Sequence, residues 1–316
     1  MRFGVNVTGV LVENGRVSGA QTSAGNLSAS AVIIAAGGSS HPQTGSTGDG
    51  FRIAAALGHE IVRLRPGLVP LVVNDIEQAK QMQGASLRNV RVTAFRGPAG
   101  KIDLSLVPGV DVGRGIAGKR PKLTVIESRT GDVIITHFGL SGPIILEMSL
   151  AIVDALENGP VSVSIDIMPD RDNDTLRTEL QQAFDRQSRR TYQNIIKDFL
   201  PQKLVEPFVG MTGVLPDKLG NQITLEERES LLNLLKSLRF DIKGAYSMSS
   251  AMVTAGGISL KEINPRTMAS RLVEGLYFCG EVMDLDAGTG GFNLQAGFST
   301  GYVAGEGAVS YALTKR

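Results

Sequence analysis

The chain has 316 residues, 42% of them apolar, enough for roughly two domains with a substantial core. Its 32 Lys and Arg against 31 Asp and Glu leave a formal charge of +1, which argues against a generally basic nucleic-acid or membrane binder and leaves only local patches open. One cysteine excludes an internal disulfide and a cysteine-based zinc site, three histidines leave little for a metal centre, and no metal is expected.

In chain order, Val10–Val12 and Val17–Ala20 read as strands around Asn14-Gly15, a pair that tolerates the positive φ of a tight hairpin. A turn at Ala24-Gly25-Asn26 leads to Ala31–Ala36 (AVIIAA), whose continuous apolar character predicts a fully buried parallel strand. That run breaks at Gly37-Gly38, and Phe51–Leu57 follows as a short helix stopped at Gly58. From Pro66 to about Asp170 the pattern is of short β segments between turns, such as LVPLVV, VRVTAF, LTVIES and VIITHF. From about Thr175 to Phe240 it turns helical. Thr224 with Glu227 forms a capping box that opens a helix carrying Leu231, Leu234, Leu235 and Leu238 on one face. Beyond Tyr246 the chain is glycine-rich again, with a strand at Leu276–Phe278, a sharp glycine turn and a small-residue helix from about Phe292. No apolar run reaches the ~18 residues of a membrane span, the N-terminus lacks a long apolar core, and a cytoplasmic location is expected.

Glycine is in excess, 38 of 316 residues where about 7% is usual. With only 13 prolines and no polar repeat, this excess points to turns that bring backbone close to a ligand or to other backbone. The segment AVIIAAGGSS ends a buried strand in glycines, the place where open α/β sheets bind ligands. The segment GLYFCGEVMDLDAGTGGFNLQAG repeats that grammar: a strand, Gly280-Glu281, an acidic loop, then Gly288, Gly290 and Gly291 opening a helix whose first amides favour an electron-rich ligand edge. Gly297, Gly301 and Gly305 at four-residue spacing predict a smooth helix face for close packing. GRGIAG (Gly113, Gly115, Gly118) matches G-x-G-x-x-G in letters, but Pro121 follows it and the next run reads as a strand, so a basic surface loop is the better reading. The same window lacks the Ser or Thr of a phosphate loop, having Arg120 after Lys119. Ser141 is in no nucleophile elbow, Cys279 reads as packing, and His41 and His137 as turn residues.

The stretches AGGSSHPQTGSTGDGFRIAAALGH, THFGLSGPIIL, VTAGGISLKEINPRTMASR and GLYFCGEVMDLDAGTGGFNLQAGFSTGYVAGE run in order along the chain. They resemble a family of FAD-binding proteins that includes aminoacetone oxidases and predicted NAD(FAD)-utilising dehydrogenases. The resemblance implies an α/β fold: a glutathione-reductase-like, Rossmann-type FAD-binding domain with an inserted β domain and a small helical domain. On this basis residues 1–64 and 271–316 form the FAD domain, 65–174 and 246–270 the β-rich insertion, and 175–245 a helical subdomain. Family members open with a strand, a G-x-G-x-x-G turn and a helix that hold pyrophosphate and adenosine. No such unit occurs in this sequence, so the domain is expected to be incomplete, to hold FAD poorly alone, and to self-associate or to accept a complementing N-terminal segment.

The resemblance further implies a non-covalently bound FAD, with NAD(P)H as candidate reductant. Gly37, Gly38, Thr44, Gly45, Ser46 and Thr47 would lie near the flavin, Glu281 after Gly280 near its ribityl or phosphate region, and Gly290, Gly291, Phe292 and Asn293 at the start of the final helix against the pyrimidine edge. Residues 254–257 resemble a loop on the substrate side of the flavin. No general acid or base stands out, and the catalytic residue is left unassigned. Three functions follow: an FAD-dependent oxidoreductase acting on a small molecule, a flavoenzyme reducing a nucleobase in RNA, or a non-catalytic remnant or binding module unable to hold FAD alone. The RNA reading draws on Arg88, Arg91 and Arg96 and on Arg114, Lys119, Arg120 and Lys122 as phosphate contacts.

Overall fold

The computed structural model describes residues 2–101 and 124–314. In chain order the elements are β1 (Val7–Glu13), β2 (Arg16–Thr22), β3 (Gly25–Ser28), β4 (Val32–Ile34), α1 (Asp49–Ala56), β5 (Ile61–Gly67), β6 (Leu71–Val73), α2 (Ile76–Gln81) and β7 (Ser86–Arg96). They continue with β8 (Val125–Ile135), β9 (Gly139–Ser141), α3 (Pro143–Leu156), β10 (Val161–Asp166), α4 (Asn173–Arg186), α5 (Tyr192–Ile195), α6 (Gln202–Thr212) and α7 (Leu225–Lys236). The last four are β11 (Leu238–Ala245), β12 (Val253–Ile258), β13 (Leu276–Phe278) and α8 (Gly290–Thr314). They divide into two compact units, Met1–Val69 with Ser247–Arg316, and Pro70–Tyr246.

In the first unit β1, β2 and β3 form an antiparallel meander, turned at Asn14 (φ 52°) and Gly15 (φ 78°) as the hairpin dipeptide requires. β4 and β13 pair in parallel, Val32 with Leu276 and Ile34 with Phe278, although 244 positions separate the partners in sequence (276 − 32). β4 is shorter than the expected Ala31–Ala36 strand and only partly buried: Ile34 is enclosed but Ile33 is 38% exposed. β12 pairs antiparallel with β5, Val253 against Gly67 and Ile258 against Ile61. That ladder corrects the expected boundaries, because it places 65–69 and 247–270 in the same unit as the two chain ends rather than in the insertion. Ile34, Phe51, Ala54, Ile258, Leu276, Phe278 and Val282 form this unit's core, each large side chain contributing about 1.5–3 kcal/mol of burial.

The second unit is a closed antiparallel barrel in the order β10-β11-β6-β9-β8-β7. Every residue of β10 is buried, because the barrel covers one side and helices such as α7 cover the other. The stretch 66–170 is therefore not all β. It contains α2 and α3, and α3 starts at Pro143, a first-turn position where the missing N–H costs nothing. Ile144, Ile145, Met148 and Ile152 of α3 join barrel residues and Leu176, Phe184, Phe208, Leu231 and Leu235 of the helices in one core. The helical stretch 175–245 is accordingly part of the barrel unit and not a subdomain of its own. Its capping box is formed: Thr224 Oγ1 accepts from Glu227 N (3.2 Å) and Thr224 N donates to Glu227 Oε2 (2.8 Å). Among the described residues no helix is long and apolar enough to cross a membrane.

Candidate functional site

Parallel pairing brings the carboxyl ends of β4 and β13 side by side, and each runs into glycine. After β4 the chain enters a loop with successive left-handed residues, Gly37 (φ 70°), His41 (φ 49°), Gly45 (φ 103°) and Gly48 (φ 80°). Gly48 N donates to Gly38 O (3.1 Å) and closes the loop on itself. Thr44 Oγ1 donates to His41 O (2.8 Å) and Thr47 Oγ1 to Asp49 Oδ2 (2.8 Å), so both hydroxyls serve the loop and the start of α1. Arg52 and then Thr47, hydrogen-bonded to the Asp49 carboxylate, hold its pKa below the usual carboxylate range. Ser46 Oγ lies 3.0 Å from the place a Cβ on Gly37 would take, which makes glycine the residue that fits there.

After β13 comes Cys279, buried and with its thiol pKa pushed up by that burial, consistent with packing. Gly280 follows in the left-handed region (φ 74°), then Glu281. Thr300 of α8 accepts from Gly280 N (3.0 Å) and donates to Ala296 O (2.7 Å), which pins the final helix to the strand end. Asn293 spends its side chain on the preceding loop. Its Oδ1 accepts from Ala287 N (3.0 Å), and its Nδ2 donates to Ala287 O (2.8 Å) and Thr289 O (2.9 Å).

Between these parts is a cavity of about 410 Å³, a size in the range of small-molecule and cofactor sites. Of the residues expected at the site, Gly280, Glu281, Gly290 and Asn293 line it. Gly290 and Gly291 lie within α8 with open space where a Cβ would project, and Phe292 beside them is 68% exposed. Gly37, Gly38, Thr44, Gly45, Ser46 and Thr47 lie on the neighbouring loop and do not line the cavity. Sequence reasoning missed its apolar wall, Met252, Val253, Leu285, Leu294 and Phe298, which has no motif to announce it. It also missed Ser40 and the bonds that tie Ser40 and Thr254, within the 254–257 stretch expected on the substrate side, to each other and to Glu281.

The glycines at 297, 301 and 305 do not pack as expected. A Cβ at any of them would meet nothing within 4 Å, and α8 instead packs through Thr300, Ala304, Gly307 and Ala308. The opposite face carries Leu294, Phe298, Tyr302, Val309 and Leu313, all 59–73% exposed. GRGIAG and the basic residues Arg114, Lys119, Arg120 and Lys122 lie outside the described residues. Arg88, Arg91 and Arg96 lie along β7 of the barrel unit.

His59 is another buried polar residue of the first unit. Its side chain is 0% exposed, its Nδ1 is 3.0 Å from Glu262 Oε2 and its Nε2 3.0 Å from Ser270 Oγ, with the ring edge-on to Phe278. Ser270 Oγ already accepts from Leu272 N (3.0 Å) and Val273 N (2.9 Å), so its lone pairs are used and its O–H must donate to Nε2. This fixes a neutral ring protonated at Nδ1, donating to Glu262. Burial, outweighing the Glu262 carboxylate, lowers the His59 pKa. With Ser270 saturated, the three residues form a structural clamp and not a nucleophile with its base.

A family model, the HI0933-like protein Rossmann domain, matches residues 1–307. Curated relatives include a ribosomal RNA dihydrouridine synthase of Escherichia coli, 30% identical over 88% of this chain and 60% of that protein. A 3-dehydro-bile acid delta(4,6)-reductase of Clostridium scindens is 28% identical over 88% of this chain and 61% of its own length. A ribosomal RNA dihydrouridine synthase of Haemophilus influenzae is 29% identical over 86% and 58%. The chain thus spans about three-fifths of the length of the curated relatives it matches. The parallel strand pair with glycine turns at its carboxyl ends and the match along nearly the whole sequence agree, and the chain belongs to the HI0933-like protein Rossmann-domain family.

Proposed function

We propose that the protein is an FAD-dependent oxidoreductase acting on a small molecule, with the flavin held non-covalently in the cavity at the carboxyl ends of β4 and β13. The observation that carries this reading is the cavity itself: an apolar wall able to face a flat ring, a few polar groups, and glycines at 280 and 290 that leave its rim open. The residues present fit a flavin on that test. FAD, when bound, supplies a two-electron hydride donor or acceptor. The chain's part is orientation and electrostatics. The first amides of α8 have no acceptor inside the helix and place its positive end where negative charge is favoured. Asn293 holds the preceding loop rigid, and Glu281 presents a carboxylate at the cavity.

The relatives' names suggest the reaction type. Forming dihydrouridine and reducing a delta(4,6) bond of a 3-dehydro-bile acid both add hydrogen to a carbon–carbon double bond conjugated with a carbonyl. Reduction of such an activated double bond is the chemistry we assign, with NAD(P)H as candidate reductant. A second reading, reduction of a nucleobase in RNA, is favoured by the names of two of the relatives described above. The deciding experiment loads the protein with FAD, reduces it anaerobically, and follows flavin reoxidation by an α,β-unsaturated ketone and, separately, by uridine-containing RNA. Reoxidation by the ketone alone supports the first reading and by RNA alone the second. Reoxidation by neither refutes the assigned chemistry, and failure of NADH or NADPH to reduce the flavin removes them as donors.

A further inference from the structure

The loop after β4, the strand β12 and the turn after β13 meet at one buried hydroxyl. Thr254, on β12, is 0% exposed. Its Oγ1 accepts from Ser39 N (2.8 Å) and Ser40 N (3.1 Å), which uses both lone pairs of the hydroxyl oxygen. Its own N–H donates to Glu281 Oε1 at 2.6 Å, and Ser40 Oγ donates to the same oxygen at 3.3 Å. The other carboxylate oxygen, Oε2, has no hydrogen-bond partner among the described residues, while Glu281 lines the cavity. Gly38 shows how tightly this is built: a Cβ there would fall within overlap distance of Thr254 Oγ1 and 2.7 Å from Glu281 Oε1.

We infer that Thr254 is a positioning residue of the site: it fixes the backbone of Ser39 and Ser40 and one oxygen of Glu281, so that the other oxygen is presented to the cavity in a single orientation. Three segments that lie 215 and 27 positions apart along the chain are locked by one side chain and its backbone amide. A packing role alone would be met by valine, which has the same shape. The positioning role needs the hydroxyl, because valine would leave the buried Ser40 amide and the half-buried Ser39 amide without acceptors and release the 39–40 turn that bears on Glu281. Serine keeps the oxygen and gives up only a methyl group.

The consequence for ligand binding rests on the flavin reading, whereas the lock itself can be tested without any ligand. The experiment compares Thr254→Val and Thr254→Ser in the full chain by amide hydrogen exchange and by FAD titration. Thr254→Val should raise the exchange rates of the Ser39 and Ser40 amides about tenfold or more and weaken FAD binding by a similar factor, since each lost buried acceptor costs at least one hydrogen bond. Thr254→Ser should keep both near the unaltered values. Circular dichroism shows that each variant is folded, and Gly38→Ala, which presses on the same knot from the other side, should mimic Thr254→Val. Unchanged exchange at Ser39 and Ser40 in a folded Thr254→Val overturns the lock, whatever FAD does. Altered exchange with unchanged FAD affinity overturns its role at the site. If the unaltered chain binds no FAD while exchange responds as described, the flavin reading fails, and with it the role at the site, while the lock stands.

Discussion

Replacing His59 with Phe is the sharpest test of how the first unit is held together. The ring is fully enclosed, and both of its nitrogens are bonded, to Glu262 and to Ser270. Phe fills the space and keeps the edge-on contact with Phe278, but removes the His59 donor to the Glu262 carboxylate and leaves the Ser270 O–H without its acceptor. At about 1–3 kcal/mol per buried group left unsatisfied, the loss should be about 2–5 kcal/mol, tempered because Glu262 Oε2 still accepts from Glu60 N (2.9 Å) and its side chain is 23% exposed. The pH dependence has a definite sign. Burial depresses the folded-state pKa below the reference 6.5, so between 6.5 and that lower value the unfolded chain binds the proton and the folded chain does not. Stability contributed by the neutral ring is complete above pH 6.5 and declines as pH falls through this window. Urea unfolding at pH 8, 6.5 and 5, followed by the signal of this unit, should show a falling midpoint in the unaltered protein and a flatter profile in His59→Phe. An unchanged midpoint at pH 8, or an equal pH slope in both proteins, would refute the clamp.

Lys236 and Asp166 form a 2.7 Å ion pair with both side chains 1% exposed, and Lys236 Nζ also donates to Met168 O and Arg171 O. Burial raises the Asp166 pKa despite Lys236, so Lys236→Met should cost about 3–5 kcal/mol at pH 7, less as pH falls toward protonation of the carboxyl, and Lys236→Met with Asp166→Leu should recover most of the loss in chemical denaturation. The exposed apolar face of α8 should make the isolated chain self-associate with rising concentration; Phe298→Ser with Tyr302→Ser should shift size-exclusion elution toward monomer, and an unchanged profile would count against that face.

Local features were legible in the sequence. Asn14-Gly15 requires two positive φ angles and has them, Leu276–Phe278 is a strand to the residue, and Thr224 with Glu227 caps α7. What hid α3 was composition: Pro143–Leu156 is rich in isoleucine and apolar on most sides, so it lacks the alternation of polar and apolar positions that marks a surface helix, and Pro143 was its main helix signal. Barrel closure depends on register between distant strands, which no local pattern encodes, and the pairing of β12 with β5 moved the unit boundary for the same reason. Near the site, the turn at Gly280 could be read because its left-handed φ favours glycine. The bonding of Thr254 to the 39–40 turn could not, since a threonine in a strand is ordinary until its partners 215 positions away are known.

The central claim is that the cavity bounded by Gly280, Glu281 and the start of α8 holds a flavin. Gly290 lines this cavity with open space at its Cβ position, so Gly290→Val would project a branched side chain into the ligand's place without disturbing the packed face of α8. Titration of the full chain with FAD up to about 1 mM, a limit corresponding to about 4 kcal/mol of binding, tests the claim most directly by flavin fluorescence. The account predicts saturable binding by the unaltered chain and at least a tenfold weaker response from folded Gly290→Val. No saturation in the unaltered chain, or equal binding by the two proteins, would contradict it.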